Sequence, residues 1–264
     1  MAVRTRRRTN PEGKMSIGQH LVELRRRLMI AGIGIVVGTV GGWFLSELVW
    51  DGLRAPILVI ASAHHQASIN YSSITSAWDV RFQVAIMLGI LVSSPLWLYQ
   101  IFAFLVPGLT GRERKYIFGF FFTAIPLFLA GAVVGWLVLP RLVNLMVSFV
   151  PGQDTSIIDA KYYLDFVIKL ILATGIAFVL PVFLVLLNFI GILSAKTILK
   201  GWRWAVLAIT IFTAIATPAA DPLSMLLLAV PMVVLYFAAW LISALHDRAV
   251  ARRSDALSAG LASA

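Results

Sequence analysis

The sequence predicts an all-α integral membrane protein with six transmembrane helices, and two observations support that prediction. Sixty per cent of the 264 residues are hydrophobic and the mean hydropathy is +0.90, which is more apolar surface than a water-soluble domain of this size can bury. The apolar residues also fall in segments that can cross a hydrocarbon core of about 30 Å as helices. The first segment is too long to be the core of a cleavable signal peptide, so we expect it to remain as a span.

Six apolar segments are the candidate spans, and only the fifth, which begins at Trp204, is short. Its length predicts a thinned bilayer or a helix end that sinks into the membrane. We predict spans at about 28–50, 82–106, 117–139, 166–192, 204–217 and 223–245, all within a membrane domain of residues 16–246. Residues 1–15 and 247–264 are polar or rich in small residues, and we expect them to be flexible tails, the first of them basic.

Lysine and arginine are distributed unevenly among the loops between these segments. Most of the 22 basic residues lie in the two tails and in the loops after spans two and four, and the other side holds only Arg54, Arg81, Arg141, Lys161 and Lys169. Because cytoplasmic loops retain the excess of positive charge, both termini are predicted to be cytoplasmic. The net charge of +10 then reflects contact with anionic membrane lipids rather than with nucleic acid.

Small residues recur at helical spacing within the spans. Gly34, Gly38 and Gly42 are four residues apart, as are Gly131 and Gly135. Glycines at this spacing let two helix backbones approach closely in a membrane. We predict that they pack helices within the bundle, with self-association between copies as the alternative.

Four prolines lie inside predicted spans and remove a backbone donor there, which favours kinks. They are Pro95, Pro126, Pro181 and Pro231. Bent helices predict a cupped, concave bundle. The proline positions and span lengths of the two halves do not correspond, so no inverted repeat of the kind common in secondary transporters is visible.

Catalytic and metal-binding patterns are absent from the sequence. The chain has no cysteine, so disulfides, thiol chemistry and cysteine-based metal sites are excluded. No nucleophile elbow, P-loop or H-E-x-x-H motif occurs. His64 and His65 are adjacent but lack further ligands at a useful spacing. We therefore predict no enzyme activity, no cofactor and no metal.

The segment HLVELRRRL, residues 20–28, is the first candidate binding site. Ser16 and Gln19 fit a capping box, so a helix is predicted to start there, to lie along the inner interface and then to bend into span one. His20, Glu23 and Arg27 share one flank of that helix, whereas Arg25 projects elsewhere. Glu23 either forms a weak i,i+4 pair with Arg27 or is available to bind a guanidinium from another chain.

A second carboxylate, Glu113, lies in the loop after span two, between Arg112 and Arg114. This loop is predicted to be on the same face as Glu23. Of the few acids on that face, only Glu23 and Glu113 are attached to helices that enter the membrane. Two fixed carboxylates on one face suit a ligand that carries two arginines.

The outer face is predicted to carry two long loops that could form a structured cap. One contains Pro56 and the other contains Asp154 and Asp159. Asp221 lies at the outer membrane edge, just ahead of Pro222, and is expected to cap the N-terminus of span six.

Taken together, several segments resemble the TatC family, the multi-pass core of the twin-arginine protein translocase. The resemblance covers essentially the whole of residues 16–245, and the combination is highly specific although each piece alone is weak. The matching segments are HLVELRRRL (20–28), RAP (54–56), SSPLWLYQIFAFLVPGLTGRERKY (93–116), DAKYYLDFV (159–167), FVLP (178–181) and ATPAADPLSMLLLAVPM (216–232).

The resemblance implies a six-span bundle shaped like a cupped hand in the bacterial cytoplasmic membrane, with both termini cytoplasmic. It implies that the chain recognises twin-arginine signal peptides of folded precursors and works with TatA- and TatB-type single-span subunits and other TatC copies, driven by the proton motive force. The residues that match the family's signal-peptide site are Glu23, Glu113, Arg25 and Phe104, with His20 beside them. Residues matching structural or functional positions are Pro56, Pro95, Pro181, Asp159 and Asp221.

One position departs from the family pattern. Many members carry a polar residue, often Glu or Gln, two positions before the proline of span four, where it faces the concave pocket. This chain has Val179 there, and Thr174 or Gln83 could substitute for the missing polar group. A small-solute secondary transporter is the alternative function, opposed by the scarcity of ionisable residues inside the spans.

Overall fold

The computed structural model describes residues 17–64, 67–105, 113–148, 156–216 and 222–262, which form eight helices and two short strands. In chain order these are α1 (Ile17–His64), β1 (Ala67–Asn70), α2 (Ser76–Val92), α3 (Ser94–Leu105), α4 (Glu113–Ser148), β2 (Ser156–Asp159), α5 (Ala160–Phe189), α6 (Ala195–Lys200), α7 (Trp202–Ala216) and α8 (Pro222–Ala262).

Length and composition make several of these helices membrane spans, as predicted. Within the described ranges, four helices are long and apolar enough to cross a membrane, and the pair α2 and α3 makes a fifth if it is one bent span. Helix α7 has 15 residues and is therefore about 22 Å long, which is short of a hydrocarbon core of about 30 Å. Six spans and cytoplasmic termini remain predictions.

Helix α1 differs from the predicted interface helix that bends into span one. It runs without a break for 48 residues, or about 72 Å, and passes through Pro56. Proline cannot bond to the carbonyl one turn back. In this part of α1 the Tyr163 hydroxyl of α5 donates to the Leu53 carbonyl at 2.7 Å, so a neighbouring helix supplies a hydrogen bond close to the proline. The predicted cap at Ser16 lies outside the described residues.

The predicted kink at Pro95 coincides with a break between α2 and α3. Their axes differ by 55°, and Pro95 is the second residue of α3. The indole Nε1 of Trp97 donates to the Ile90 carbonyl at 2.9 Å, which bridges the break. Helices α4, α5 and α8 continue through their internal prolines, including Pro181.

The predicted glycine contacts are confirmed, and they lie within the bundle. A Cβ added at Gly38 would lie 2.8 Å from the Gly89 carbonyl oxygen, so α1 and α2 are in backbone contact there. A Cβ at Gly131 would lie 2.6 Å from the Thr174 carbonyl oxygen, which shows the same closeness between α4 and α5. No side chain larger than hydrogen fits these crossings without a shift.

The hydrophobic core lies where α1, α2, α4 and α5 meet. Leu53, Val84, Leu142 and Leu164 belong to one buried cluster and are almost fully shielded. A second cluster, around Phe102, joins α3 to α4 and α5. The two clusters fix the relative positions of the helices that carry the candidate site.

The two loops that were predicted to lie on the outer face meet in a small parallel sheet. β1 pairs with β2, and Asn70 lies opposite Asp159 at the end of the register. The sequence predicted a structured cap but not this pairing. Because parallel strands need a long crossover connection, the pairing ties the α1–α2 connection to the α4–α5 connection.

The C-terminal region also differs from its prediction. Residues predicted as a flexible tail from 247 continue helix α8 as far as Ala262. The segment contains many alanines and arginines and no proline, and these residues have high helix propensity.

Candidate functional site

Two side-chain contacts, one aromatic and one polar, join α1 and α3 near the start of α1. The His20 ring stacks on the Phe104 ring, with centroids 4.3 Å apart and planes 16° apart. Arg27, two turns further along α1, donates from Nη1 to the Gln100 side-chain oxygen at 3.4 Å. Residues 20 and 27 on α1 therefore face residues 104 and 100 on α3, and the two helices run antiparallel along this flank.

Glu23 lies between these two contacts on the same flank. Arg27 donates to its Oε1 from both Nε, at 2.9 Å, and Nη2, at 2.5 Å, so the i,i+4 pair, one of the two alternatives for Glu23, is present. The other oxygen, Oε2, is buried and has no hydrogen-bond partner among the described residues. The side chain as a whole is 20% exposed.

This arrangement uses only part of the carboxylate. A carboxylate that pairs with arginine in the bidentate geometry accepts through both oxygens, whereas Arg27 contacts one. A buried acceptor without a partner is costly. Glu23 can therefore accept a second charge-assisted hydrogen bond while Arg27 remains in place.

Arg25 lies away from this carboxylate. It is two residues after Glu23, which turns it about 200° around the helix, and it is exposed. The structure thus separates Arg25 from the flank formed by His20, Glu23 and Arg27.

Glu113 is the first residue of α4. Its side chain, like the whole of residues 106–112, lies outside what the structure describes. Tyr99 of α3 contacts Phe121 of α4 edge-on, with centroids 5.6 Å apart. Because α3 approaches its C-terminus where α4 begins, the start of α4 lies at the same end of the bundle as the stack of His20 on Phe104.

Asp159, an acid predicted to lie on the outer face, is the N-cap of α5. Its side chain accepts from the amides of Lys161 and Tyr162 at 2.9 and 3.1 Å. The hydrogen bond from the Ser72 side chain, followed by that from the Tyr162 amide, lowers the pKa of Asp159 below its ordinary value. Asp159 thus caps the N-terminus of α5 and links it, through Ser72, to the connection that contains β1. Asp221 lies outside the described residues.

The position that departs from the family pattern is buried. Val179 is 3% exposed and packs in the cluster around Phe102. Of the two predicted substitutes, Thr174 donates to the carbonyl of Leu170 in its own helix at 2.8 Å. The side-chain oxygen of Gln83 is buried and has no partner in the described part of the chain. Only Gln83 therefore has an unused polar group.

Sequence reasoning missed a polar cluster at the end of α5. Asp247 accepts from the Asn188 side chain at 2.9 Å and from the Ala195 amide at 2.8 Å. His246 stacks on Phe189, with centroids 3.9 Å apart. Asp247 begins the segment predicted to be a flexible tail, and only the tertiary contact of α8 with the start of α6 reveals its role. Asp247 anchors the N-terminus of α6 to α8.

Metal-binding side chains do not gather in the part of the chain that is described. No group of three or more His, Cys, Asp or Glu residues there could hold an ion. His64 ends α1, and His65 lies beyond the described residues.

Comparison with known proteins gives consistent matches. The model of the family described as Sec-independent protein translocase protein (TatC) matches residues 19–231. The chain is 44% identical over 242 residues to the Sec-independent protein translocase protein TatC of Xylanimonas cellulosilytica, which covers 91% of this chain and 88% of that protein. It is 35% identical over 256 residues to the corresponding protein of Rothia mucilaginosa, with 96% and 87% covered.

A solved structure matches as well. The crystal structure of the twin-arginine translocase receptor TatC in the detergent DDM superposes with a TM-score of 0.72 at 26% identity, and the match covers 85% of this chain and 99% of that one. The relatives named above are called translocase proteins, which describes a role in transport.

Proposed function

The chain belongs to the TatC family of Sec-independent protein translocase proteins, and from this premise we propose that it is the receptor for twin-arginine signal peptides. In this proposal, Glu23 and Glu113 bind the two arginines of the signal peptide at the cytoplasmic face of a bacterial inner membrane. The chain then serves as the core around which TatA- and TatB-type subunits and further copies assemble, and the proton motive force drives export.

The observation that carries the proposal is the free oxygen of Glu23. Oε2 is buried and has no partner within the described ranges, while Oε1 already holds Arg27. A guanidinium that approaches Oε2 replaces a missing hydrogen bond instead of breaking an existing one. Charge-assisted bonds of this type are about twice as strong as neutral ones, so the site favours arginine over an uncharged side chain.

The surroundings of Glu23 support the same role. His20 and Phe104 form a stacked wall on one side, and Gln100, which is 8% exposed, holds Arg27 on the other. Both contacts limit the rotamers of the flank and keep the carboxylate in position. Arginine recognition gains from such preorganisation, because less side-chain entropy is lost on binding.

Glu113 supplies the second carboxylate in this proposal. It is the first residue of α4, and helix N-termini favour negatively charged residues. The helix end that carries it is on the same side of the bundle as Phe104. Two carboxylates on separate helices would distinguish a pair of arginines from a single one.

The small-solute transporter, the alternative from the sequence, has no specific observation in its favour. The family to which the chain belongs is described as a protein translocase family, not as one of small-solute transporters.

Crosslinking of a twin-arginine peptide to the protein in native membranes tests the proposal. Glu23→Gln and Glu113→Gln should each reduce the crosslink strongly, because each removes a negative acceptor. Glu47→Gln is the matched control, since Glu47 is a carboxylate on α1 that pairs with Arg81 at 2.8 Å far from this site. Wild-type crosslinking in both site variants would overturn the proposal.

A further inference from the structure

A cavity of about 470 Å³ lies between α5, α6, α7 and α8, a volume in the range of ligand-binding pockets. Its walls are apolar and include Leu180 and Leu184 of α5, Ala205 and Ala208 of α7 and Met232 of α8. Leu180 is 55% exposed, so the cavity opens sideways from the bundle at the level of the membrane spans.

The shape of the cavity follows from the residues of α7. Near its start, α7 presents the small side chains of Ala205 and Ala208 to α5. Further along, Phe212 packs against the cluster formed by Phe178 and Met232. Helix α7 therefore touches its neighbours in its later turns and leaves a gap in its earlier turns, next to α6.

Polar and basic groups concentrate at the α6 end of this gap. Thr197 and Gly201 line the cavity there. Lys196 and Lys200 do not line the cavity themselves. They are exposed on the flank of α6 beside Thr197, four residues apart and hence on one face, and neither forms an ion pair with a described carboxylate. The nearest acid along α8 is Asp247, and its two oxygens are already engaged by Asn188 and the Ala195 amide.

Aromatic residues indicate that this end of the cavity lies at the membrane surface. Trp202 and Trp204 are the first and third residues of α7, and they are 42% and 75% exposed. Arg203, between them, has its guanidinium 5.8 Å from the centre of the Trp202 ring. Exposed tryptophans beside basic residues are typical of the interface where phospholipid headgroups lie.

We propose that this cavity is a binding site for an anionic phospholipid. One acyl chain lies in the apolar gap between α5 and α7, and the phosphate contacts Lys196 and Lys200 on α6. Basic pockets between transmembrane helices bind anionic headgroups in the same way. The bound lipid fills the gap beside the early turns of α7 and so stabilises the position of this short helix.

The dimensions favour a lipid chain over a partner helix. An α-helix is about 10 Å across, so the cavity would hold only about one turn of it. An acyl chain is thin and flexible, and it can enter through the lateral opening beside Leu180. A lone soluble anion would not use the apolar walls at all.

Native mass spectrometry of the full chain in mild detergent tests the site, with titration by phosphatidylglycerol and by phosphatidylcholine of equal chain length. The wild type should prefer phosphatidylglycerol. A basic residue near an anionic headgroup contributes about a fivefold effect, so the double variant Lys196→Gln/Lys200→Gln should lower phosphatidylglycerol affinity about 25-fold. Arg252→Gln/Arg253→Gln on exposed α8 is the matched control and should leave affinity unchanged.

A second pair of variants tests the acyl-chain part. Ala208→Phe fills the gap and should reduce the binding of both lipids, whereas Ala238→Phe, at an exposed position of α8, should not. Equal affinity for the two lipids, equal effects of the lysine and arginine variants, or unchanged binding in Ala208→Phe would each overturn the proposal. Competition by glycerol phosphate as effective as that by the lipid would show a simple anion site and overturn it too.

Discussion

Arg27 donates hydrogen bonds from both Nε and Nη2 to Oε1 of Glu23, at 2.9 and 2.5 Å. The other oxygen, Oε2, is buried and has no partner in the described part of the chain. The pair is therefore an incomplete salt bridge. In this geometry Arg27 fixes the position of the carboxylate through Oε1. The other oxygen, Oε2, can still bind a second cation.

The wall beside Glu23 leads to a first prediction. Phe104→Ala removes the ring on which His20 stacks and should weaken the binding of a twin-arginine peptide several-fold, because the flank of α1 loses its fixed geometry. Phe122→Ala is the control, since Phe122 is 66% exposed on α4. The test is the affinity of the twin-arginine peptide for each variant, measured in detergent. Equal affinities of Phe104→Ala and Phe122→Ala would show that the stack has no part in binding.

The crossing of α4 and α5 leads to a second prediction. Gly131→Val forces new atoms against the Thr174 carbonyl, 2.6 Å from where its Cβ would lie, and overpacking of this kind costs about 1–3 kcal/mol. Gly119→Val on the same helix is the control, because nothing lies within 4 Å of its added Cβ. Thermal unfolding followed by size-exclusion fluorescence should show a lower midpoint for Gly131→Val alone.

The N-cap of α5 at Asp159 predicts a dependence of stability on pH. Hydrogen bonds from Ser72 and Tyr162 lower the pKa of Asp159 in the folded state, below an unfolded value of about 3.9. A lowered folded pKa contributes stability above the unfolded pKa, and that stability is lost as pH falls through the folded pKa. Between about pH 5 and pH 3, the melting temperature of Asp159→Asn should fall less than that of the wild type. Parallel curves would contradict this assignment.

The connection between α6 and α8 predicts a stability effect. Asp247→Ala leaves the Ala195 amide and the Asn188 side chain without their acceptor, and losing the partner of a part-buried donor costs about 1–3 kcal/mol. Asp51→Ala, at a carboxylate with 60% side-chain exposure, should cost less than 1 kcal/mol. Limited proteolysis between α5 and α7 reports the difference, and equal cleavage of the two variants would exclude an anchoring role.

Local patterns predicted a large part of this molecule. The glycine spacing of Gly131 and Gly135, the i,i+4 pair of Glu23 with Arg27 and the bend near Pro95 all depend on residues close together in the chain. Helical periodicity also placed His20 and Glu23 on one flank. Such features follow from the geometry of one helix, which a sequence displays directly.

Features that depend on distant residues were not predictable in this way. The pairing of β1 with β2 joins four-residue strands whose sequences carry too few positions to show alternation. The contact of Arg27 with Gln100 spans 73 residues, and the anchoring of α6 by Asp247 spans 52. The continuity of α1 through Pro56 also depends on context, because tertiary packing overrides the tendency of proline to end a helix.

A double-mutant cycle tests the central claim, that Glu23 contacts an arginine of the signal peptide. The affinities of wild type and Glu23→Gln are measured for a twin-arginine peptide and for the same peptide with both arginines replaced by glutamine. A direct contact predicts that Glu23→Gln weakens binding of the arginine peptide by at least about tenfold and leaves binding of the glutamine peptide unchanged. Equal losses for both peptides, and thus no coupling energy, would contradict the claim.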